Sequence, residues 1–230
     1  MMPSVFISRS EERAAAFIKA VQPFASRIIA KSLIDFKTIQ ADTVPDSEWL
    51  FFYSQTGADH FFNQHGKEDI AKKNIQVAAF GEKTGAYIQE RYHTVDFIGN
   101  GTTETTASNF LSTYQPESVC IVRGKTSVNS LHAILHPKCA LSEMIVYENS
   151  PLTNLSIDRT EILVFTSPMN LESYFGTSSI DKTQKIIVIG STTALTALTL
   201  DINEVHIAKN PSMESLAEST IDLCQSWSDI

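Results

Sequence analysis

Lys185-Ile186-Ile187-Val188-Ile189-Gly190-Ser191-Thr192-Thr193-Ala194-Leu195 decides how this chain is read. A short continuous apolar run ends in glycine and hydroxyl residues and gives way to Ala and Leu at helical spacing, which predicts a buried parallel strand turning directly into a helix. Thr192 or Thr193 is placed to cap that helix, because a side-chain oxygen there can accept from an otherwise unpaired N–H of the first turn. The remaining N–H groups, with the positive end of the helix dipole, point beyond the sheet edge and suit a carboxylate or phosphate.

Val77-Ala78-Ala79-Phe80-Gly81-Glu82-Lys83-Thr84-Gly85-Ala86-Tyr87 repeats the pattern, with Gly190 following Gly81 by 109 residues. Upstream of each copy lies a second matching pair, Leu50-Phe51-Phe52-Tyr53-Ser54 and Leu163-Val164-Phe165-Thr166-Ser167, in which Ser167 follows Ser54 by 113 residues. Val5-Phe6-Ile7-Ser8-Arg9 matches Val119-Cys120-Ile121-Val122-Arg123 at an offset of 114. Offsets that differ only by short loops indicate two copies of one architecture. The second copy ends without the strand and helix that carry Arg123 in the first, and the N-terminus supplies them.

The expected fold is therefore α/β, with two doubly wound parallel-sheet domains that form an internal structural repeat. One domain is discontinuous, built from residues 1–35 and 150–230, and the other, 38–147, is inserted into it. The linkers, near 33–38 and 145–151, form a two-stranded β ladder. Ligands of such sheets bind at the carboxyl ends of the strands, so if the domains face each other those ends line one cleft.

In chain order the patterning predicts a strand at 5–9, a helix at 11–21, one strand across 27–37 and a polar connection at 38–48. The first copy continues with strands at 49–53, 75–80, 95–98, 119–125 and 141–148, and helices at 57–64, 83–91, about 104–111 and 127–135. The second has strands at 161–166, 185–189 and 205–208 and helices at 168–175, 192–199 and 213–225.

Composition narrows the classes of function. The 230 residues are 43% hydrophobic and 19% charged, an ordinary globular balance. A net charge of −8 argues against nonspecific nucleic-acid binding, which needs a basic face, so an anion site has to be made locally. Cys120, Cys139 and Cys224 form neither a CxxC pair nor a zinc pattern and read as reduced cytoplasmic thiols. The N-terminus enters a strand at once without a signal-like segment, and no apolar run of membrane-spanning length occurs. No heptad pattern points to a partner chain, so a monomer is expected.

Several residues can carry chemistry. Arg9 and Arg123 occupy matching strand ends, with Lys125 just beyond. A single basic residue there is usually solvated charge, and the repeated placement is what favours an anion contact. Ser54, Thr84, Ser167, Thr192 and Thr193 stand at strand-to-helix turns, where capping is the ordinary role and is compatible with presenting N–H groups to an anion. Neither Gly81-Glu82-Lys83-Thr84 nor Gly190-Ser191-Thr192-Thr193 is a phosphate-binding P-loop, and no GxGxxG follows a strand. His132 and His136 are four apart, but Pro137 follows and no third ligand is evident, so a helix-end pair is expected rather than a metal site. Tyr147 lies in a bridging strand, where interdomain packing is its ordinary role and proton donation at the cleft the alternative.

The arrangement resembles the uroporphyrinogen-III synthase family over nearly the whole chain. The resemblance rests on Val5-Phe6-Ile7-Ser8-Arg9, Val122-Arg123-Gly124, Val146-Tyr147-Glu148, Val164-Phe165-Thr166-Ser167-Pro168, Ile189-Gly190-Ser191-Thr192-Thr193-Ala194 and Ala208-Lys209-Asn210-Pro211-Ser212 in this order and spacing. It implies a cofactor-free lyase of haem biosynthesis that closes hydroxymethylbilane, a flexible tetrapyrrole with eight carboxylates, into uroporphyrinogen III with ring D inverted. It also implies that Tyr147 assists departure of the substrate hydroxyl and that Thr84, Ser167, Thr192 and Thr193 line the cleft. Ser191 stands where the family often has Pro. A noncatalytic two-domain module that binds an anionic small molecule is the competing expectation, since the same sheets would serve it.

Overall fold

The structure is a computed structural model that describes residues 1–41, 43–127, 130–153, 156–179 and 181–229. From the N-terminus, β1 (Ser4–Ile7), α1 (Glu11–Val21) and β2 (Arg27–Ala30) are followed by β3 (Ile34–Thr38). Next come β4 (Trp49–Phe52), α2 (Gln55–Phe62), α3 (Lys67–Lys72), β5 (Gln76–Ala79), α4 (Glu82–Arg91) and β6 (Phe97–Ile98). Then follow α5 (Thr103–Tyr114), β7 (Ser118–Gly124), α6 (His132–Leu135) and β8 (Ala140–Pro151). The chain closes with β9 (Ile162–Phe165), α7 (Pro168–Phe175), β10 (Lys185–Val188), α8 (Ser191–Thr199), β11 (His206–Ile207) and α9 (Met213–Gln225).

The chain divides into two compact units, Met1–Asp35 with Ser150–Ile230, and Phe36–Asn149. In the first, the sheet order is β11-β10-β9-β1-β2, with every neighbouring pair parallel. In the second, β6-β5-β4-β7-β8 has the same parallel order, and β3 is added beyond β8. The backbone bonds Ile39 N–H to Val146 O and Leu152 N–H to Leu33 O make the added pair antiparallel, because the later residue of one strand meets the earlier residue of the other.

The central strands are apolar at consecutive positions because both of their faces are covered. Along β4, Leu50 and Phe52 pack with Phe61 of α2, Ile70 of α3 and Ile88 of α4, whereas Trp49 and Phe51 pack with Phe110 of α5 and Leu135 of α6. The first unit repeats this. Ile162 and Val164 of β9 meet Phe17 of α1 and Leu216 of α9, while Leu163 and Phe165 meet Leu171 of α7 and Ala197 of α8. Full burial of each such side chain favours the fold by roughly 1.5–3 kcal/mol, so the alternating run itself sets which helices lie on which face.

Two expectations need correction. The single strand across 27–37 is two strands in different sheets, β2 and β3. The break falls where Leu33 turns fully into the core, its N–H donating to Asn170 Oδ1 at 2.9 Å and its carbonyl accepting from Ser173 Oγ at 2.9 Å and from Leu152 N. The helix expected at 127–135 is one turn, α6; residues 128 and 129 of that expectation lie outside the described residues. Among the described residues no helix is long and apolar enough to cross a membrane.

Candidate active site at the strand carboxyl ends

In both sheets the order of strands reverses at one point, between β4 and β7 in the second unit and between β9 and β1 in the first. Such a switch point opens a crevice beyond the carboxyl ends of the strands. Ser54 follows β4 and Arg123 lies at the end of β7; Ser167 follows β9 and Arg9 follows β1. The sequence-repeated serines and arginines therefore stand at equivalent switch points, one pair in each unit.

The serines cap their helices. Ser54 Oγ accepts from Gly57 N–H at 3.0 Å, and Ser167 Oγ accepts from the Asn170 amide N–H at 3.3 Å and from its side-chain amide at 2.8 Å. Capping by Thr192 or Thr193, and by Thr84, is corrected. The N-cap residues are Gly190 and Gly81, neither helix has a side-chain cap, and the threonines fall inside the first turn. Thr84 and Thr193 are buried at the third helical position, whereas Thr192 is exposed. The consequence is chemical. Apart from Thr84 N–H, which donates to the Gly81 carbonyl at 3.0 Å, the first-turn N–H groups of α4 and α8 meet no side-chain oxygen of a described residue and remain donors for an anion.

A hollow lies in front of each uncapped turn. In the second unit it measures about 380 Å³ and is lined by Phe80, Gly81, Glu82, Lys83, Thr84, Asn100 and Gly101. In the first it measures about 550 Å³, and Ser167, Gly190, Thr192, Thr193 and Lys209 contribute to its walls. Gly81 makes a close approach: a Cβ there would stand a tight 3.2 Å from Gly101 Cα, and Gly101 itself has φ +84°. Asn100 holds that second turn together, its Oδ1 accepting from Thr102 N–H, Thr102 Oγ1 and Thr106 Oγ1 at 3.0–3.1 Å. No local sequence pattern gives Asn100 this role, because only the tertiary approach of Gly81 and Gly101 reveals it.

The three basic candidates differ. Arg9 keeps a buried Nε that meets no partner among the described residues, and burial, aided by nearby Arg13, pushes its pKa down. A carboxylate would relieve both effects. Arg123 is occupied: Nε and Nη2 donate to Glu143 Oε2 at 3.0 and 2.6 Å, and Nη1 donates to the carbonyls of Gly124, Lys125 and Ser127. Its present work is to hold the turn after β7. Lys125 pairs with Glu148 at 2.9 Å and holds that carboxyl below its ordinary pKa. Lys125 is largely in solvent and Glu148 partly so, which leaves the pair weak.

Tyr147 is buried in β8, 7% exposed, and its ring stacks on His60 with centroids 5.1 Å apart. Its hydroxyl has no hydrogen bond to a described residue. His60, whose Nδ1 is 2.8 Å from Thr38 Oγ1 and whose pKa is lowered by burial, is a neighbour that the sequence did not suggest. Among the described residues no cluster of three or more His, Cys, Asp or Glu is placed to hold a metal.

Fold and turns together define a class: a duplicated, doubly wound α/β protein that presents free helix N-termini and hydroxyl turns at the carboxyl ends of its strands. The chain belongs to the uroporphyrinogen-III synthase family, whose model, described as uroporphyrinogen-III synthase HemD, matches residues 27–218. A protein of Chlorobaculum parvum named uroporphyrinogen-III synthase is 22% identical over 220 residues, covering 84% of this chain and 87% of its own. The crystal structure of uroporphyrinogen-III synthetase from Helicobacter pylori superposes with a TM-score of 0.73 at 22% identity, covering 97% of this chain and all of that one. A mutant uroporphyrinogen III synthase from Thermus thermophilus gives a TM-score of 0.56 at 12% identity over 97% of this chain and 99% of its own. The structural likeness carries the shared α/β fold with parallel sheets.

Proposed function

We propose that this protein is a cofactor-free lyase that converts hydroxymethylbilane to uroporphyrinogen III and water, inverting ring D on the way, in tetrapyrrole biosynthesis. The observation that carries the proposal beyond family membership is the pair of glycine-capped helices, α4 and α8, that open onto hollows at repeated strand ends. A substrate with eight carboxylates suits an acidic protein only if backbone N–H groups, rather than a dense basic cluster, do most of the holding. The residues proposed to contact it are Arg9, Ser54, Thr84, Arg123, Lys125, Ser167, Thr192 and Thr193. Arg123 enters through the turn it braces, and Lys125 by exchanging Glu148 for a substrate carboxylate.

The chemistry asks little of a nucleophile. Water leaves the terminal hydroxymethyl group to give an azafulvene, ring D attacks through its substituted position, and the resulting spiro intermediate reopens and closes with ring D inverted. Uncatalysed closure gives the uninverted isomer, so the task is to hold two reactive ends in one geometry, a positioning effect. Tyr147 is proposed to donate the proton that lets the hydroxyl leave as water. The reading takes the protein as a cytoplasmic monomer, in keeping with three free cysteines, Cys120, Cys139 and Cys224.

Substrate loss tests turnover. With hydroxymethylbilane generated in situ and protein well below it in concentration, an enzyme accelerates consumption through many equivalents. A module that only binds would instead retain about one equivalent per chain and leave the remainder to close at the spontaneous rate.

A further inference from the structure

β7 and β8 pair in step from Ser118 opposite Ala140 to Arg123 opposite Ile145, and then slip, so that Gly124 faces Tyr147 and Val146 is passed over. An extra residue on one strand bends it and re-aims the side chains beyond. The side chain re-aimed here is that of Tyr147, delivered to the one residue of β7 without a Cβ. A Cβ on Gly124 would stand 2.7 Å from the Tyr147 hydroxyl oxygen and 2.6 Å from Cε2, distances that no real side chain holds. Around the same ring, His60 stacks at 5.1 Å with its plane tilted by 23°, and Phe36 approaches to 5.8 Å. The hydrogen bond to Thr38 holds the His60 ring in turn.

We propose that Gly124 and His60 are positioning residues for the synthase reaction, fixing the Tyr147 hydroxyl between a gap left by the missing Cβ and a stacked imidazole. This rests on the reading of Tyr147 as proton donor. Bulge, gap and stack converge on one phenol that makes no hydrogen bond to a described residue, an arrangement that leaves its O–H for a ligand. The atoms an added methyl would meet lie at the far end of the tyrosine ring. Tilting the ring therefore relieves the clash more readily than moving backbone does, and the variant moves the hydroxyl rather than the fold.

Steady-state formation of uroporphyrinogen III by the whole protein, with hydroxymethylbilane generated in situ, tests this in a double-mutant cycle. Tyr147→Phe is expected to lower kcat about 100-fold. Gly124→Ala should lower it by about 10-fold or more with KM changed by less than about twofold, since a displacement on the order of 1 Å is enough to lose rate. In the Tyr147→Phe background the same glycine substitution should change kcat by less than about twofold, because the group it displaces is gone. Should Gly124→Ala not fold, His60→Ala carries the same test with the same non-additivity. Equal losses in both backgrounds, or a wild-type rate for Gly124→Ala alongside an impaired Tyr147→Phe, would overturn the positioning role and leave the proton donor standing. A wild-type rate for Tyr147→Phe would remove the donor and the positioning role together.

Discussion

Ser54 and Ser167 close the helices that stand at the two switch points, whereas glycine at 81 and 190 leaves the neighbouring helices open. One oxygen atom separates a satisfied helix end from a ligand-binding one. Gly190→Ser supplies that oxygen at a position with extended backbone and free space, where the nearest atom to a new Cβ is Pro211 Cβ at 3.9 Å. The expected result is a gain of a few tenths of a kcal/mol in stability, about 0.3, with a raised KM, read from a melting curve beside substrate titration. Asp181 gives a pH test. Bonds from the Thr183 hydroxyl and amide, and then from Arg159, hold its pKa at about 2, below the ordinary aspartate range. A depressed folded-state pKa means that the contribution is present above about pH 4 and is lost as pH falls towards about 2. Asp181→Asn should therefore melt below wild type near neutrality, with the gap closing as the buffer is acidified; a gap independent of pH would contradict the assignment. Other residue-level facts could not be read in advance. Glu143 closes Arg123 and Glu148 closes Lys125 from 20 and 23 residues away, through a register that no local pattern encodes.

At the scale of elements, legibility followed burial. β4 and β9 are four consecutive fully buried residues, and a run that must be apolar on both faces is visible in any sequence. α9 starts just after Asn210-Pro211-Ser212, whose serine caps it, accepting from Ser215 N–H at 3.1 Å. α3 has no sequence signature because Lys67-Glu68-Asp69-Ile70-Ala71-Lys72 is a polar turn and a half with Ile70 as its only buried residue, too little to show a period. β2 and β3 read as one strand because loose apolar alternation resumes at Leu33 after Lys31-Ser32, with no turn signal between. At the end of α5, Gln115 sits in the left-handed region at φ 45° as the C-cap. Gln115→Gly removes a left-handed cost of about 1–2 kcal/mol and regains part of it as unfolded-state entropy. A net stabilisation of up to about 1 kcal/mol is expected, measured as a shift in denaturation midpoint.

At the scale of the whole molecule, the repeat was the most legible feature, because matched glycines and serines fix strand ends in each copy. The two sheets then turn out to share one strand order, β11-β10-β9-β1-β2 and β6-β5-β4-β7-β8, with the N-terminal strand completing the copy that lacks its own. The bulge beside Tyr147 left no sequence signal beyond the glycine at 124, since a slip of one residue is a property of two strands together. With turns proposed to hold substrate and Tyr147 as the one proposed proton donor, geometry, more than reactive groups, would determine the product. The most direct measurement is the isomer composition. Hydroxymethylbilane is generated in situ with this protein present, the products are oxidised, and type I and type III uroporphyrins are separated by chromatography. A synthase yields predominantly type III. Type I alone, from protein shown to be folded, would contradict it and favour a binding module in place of the enzyme.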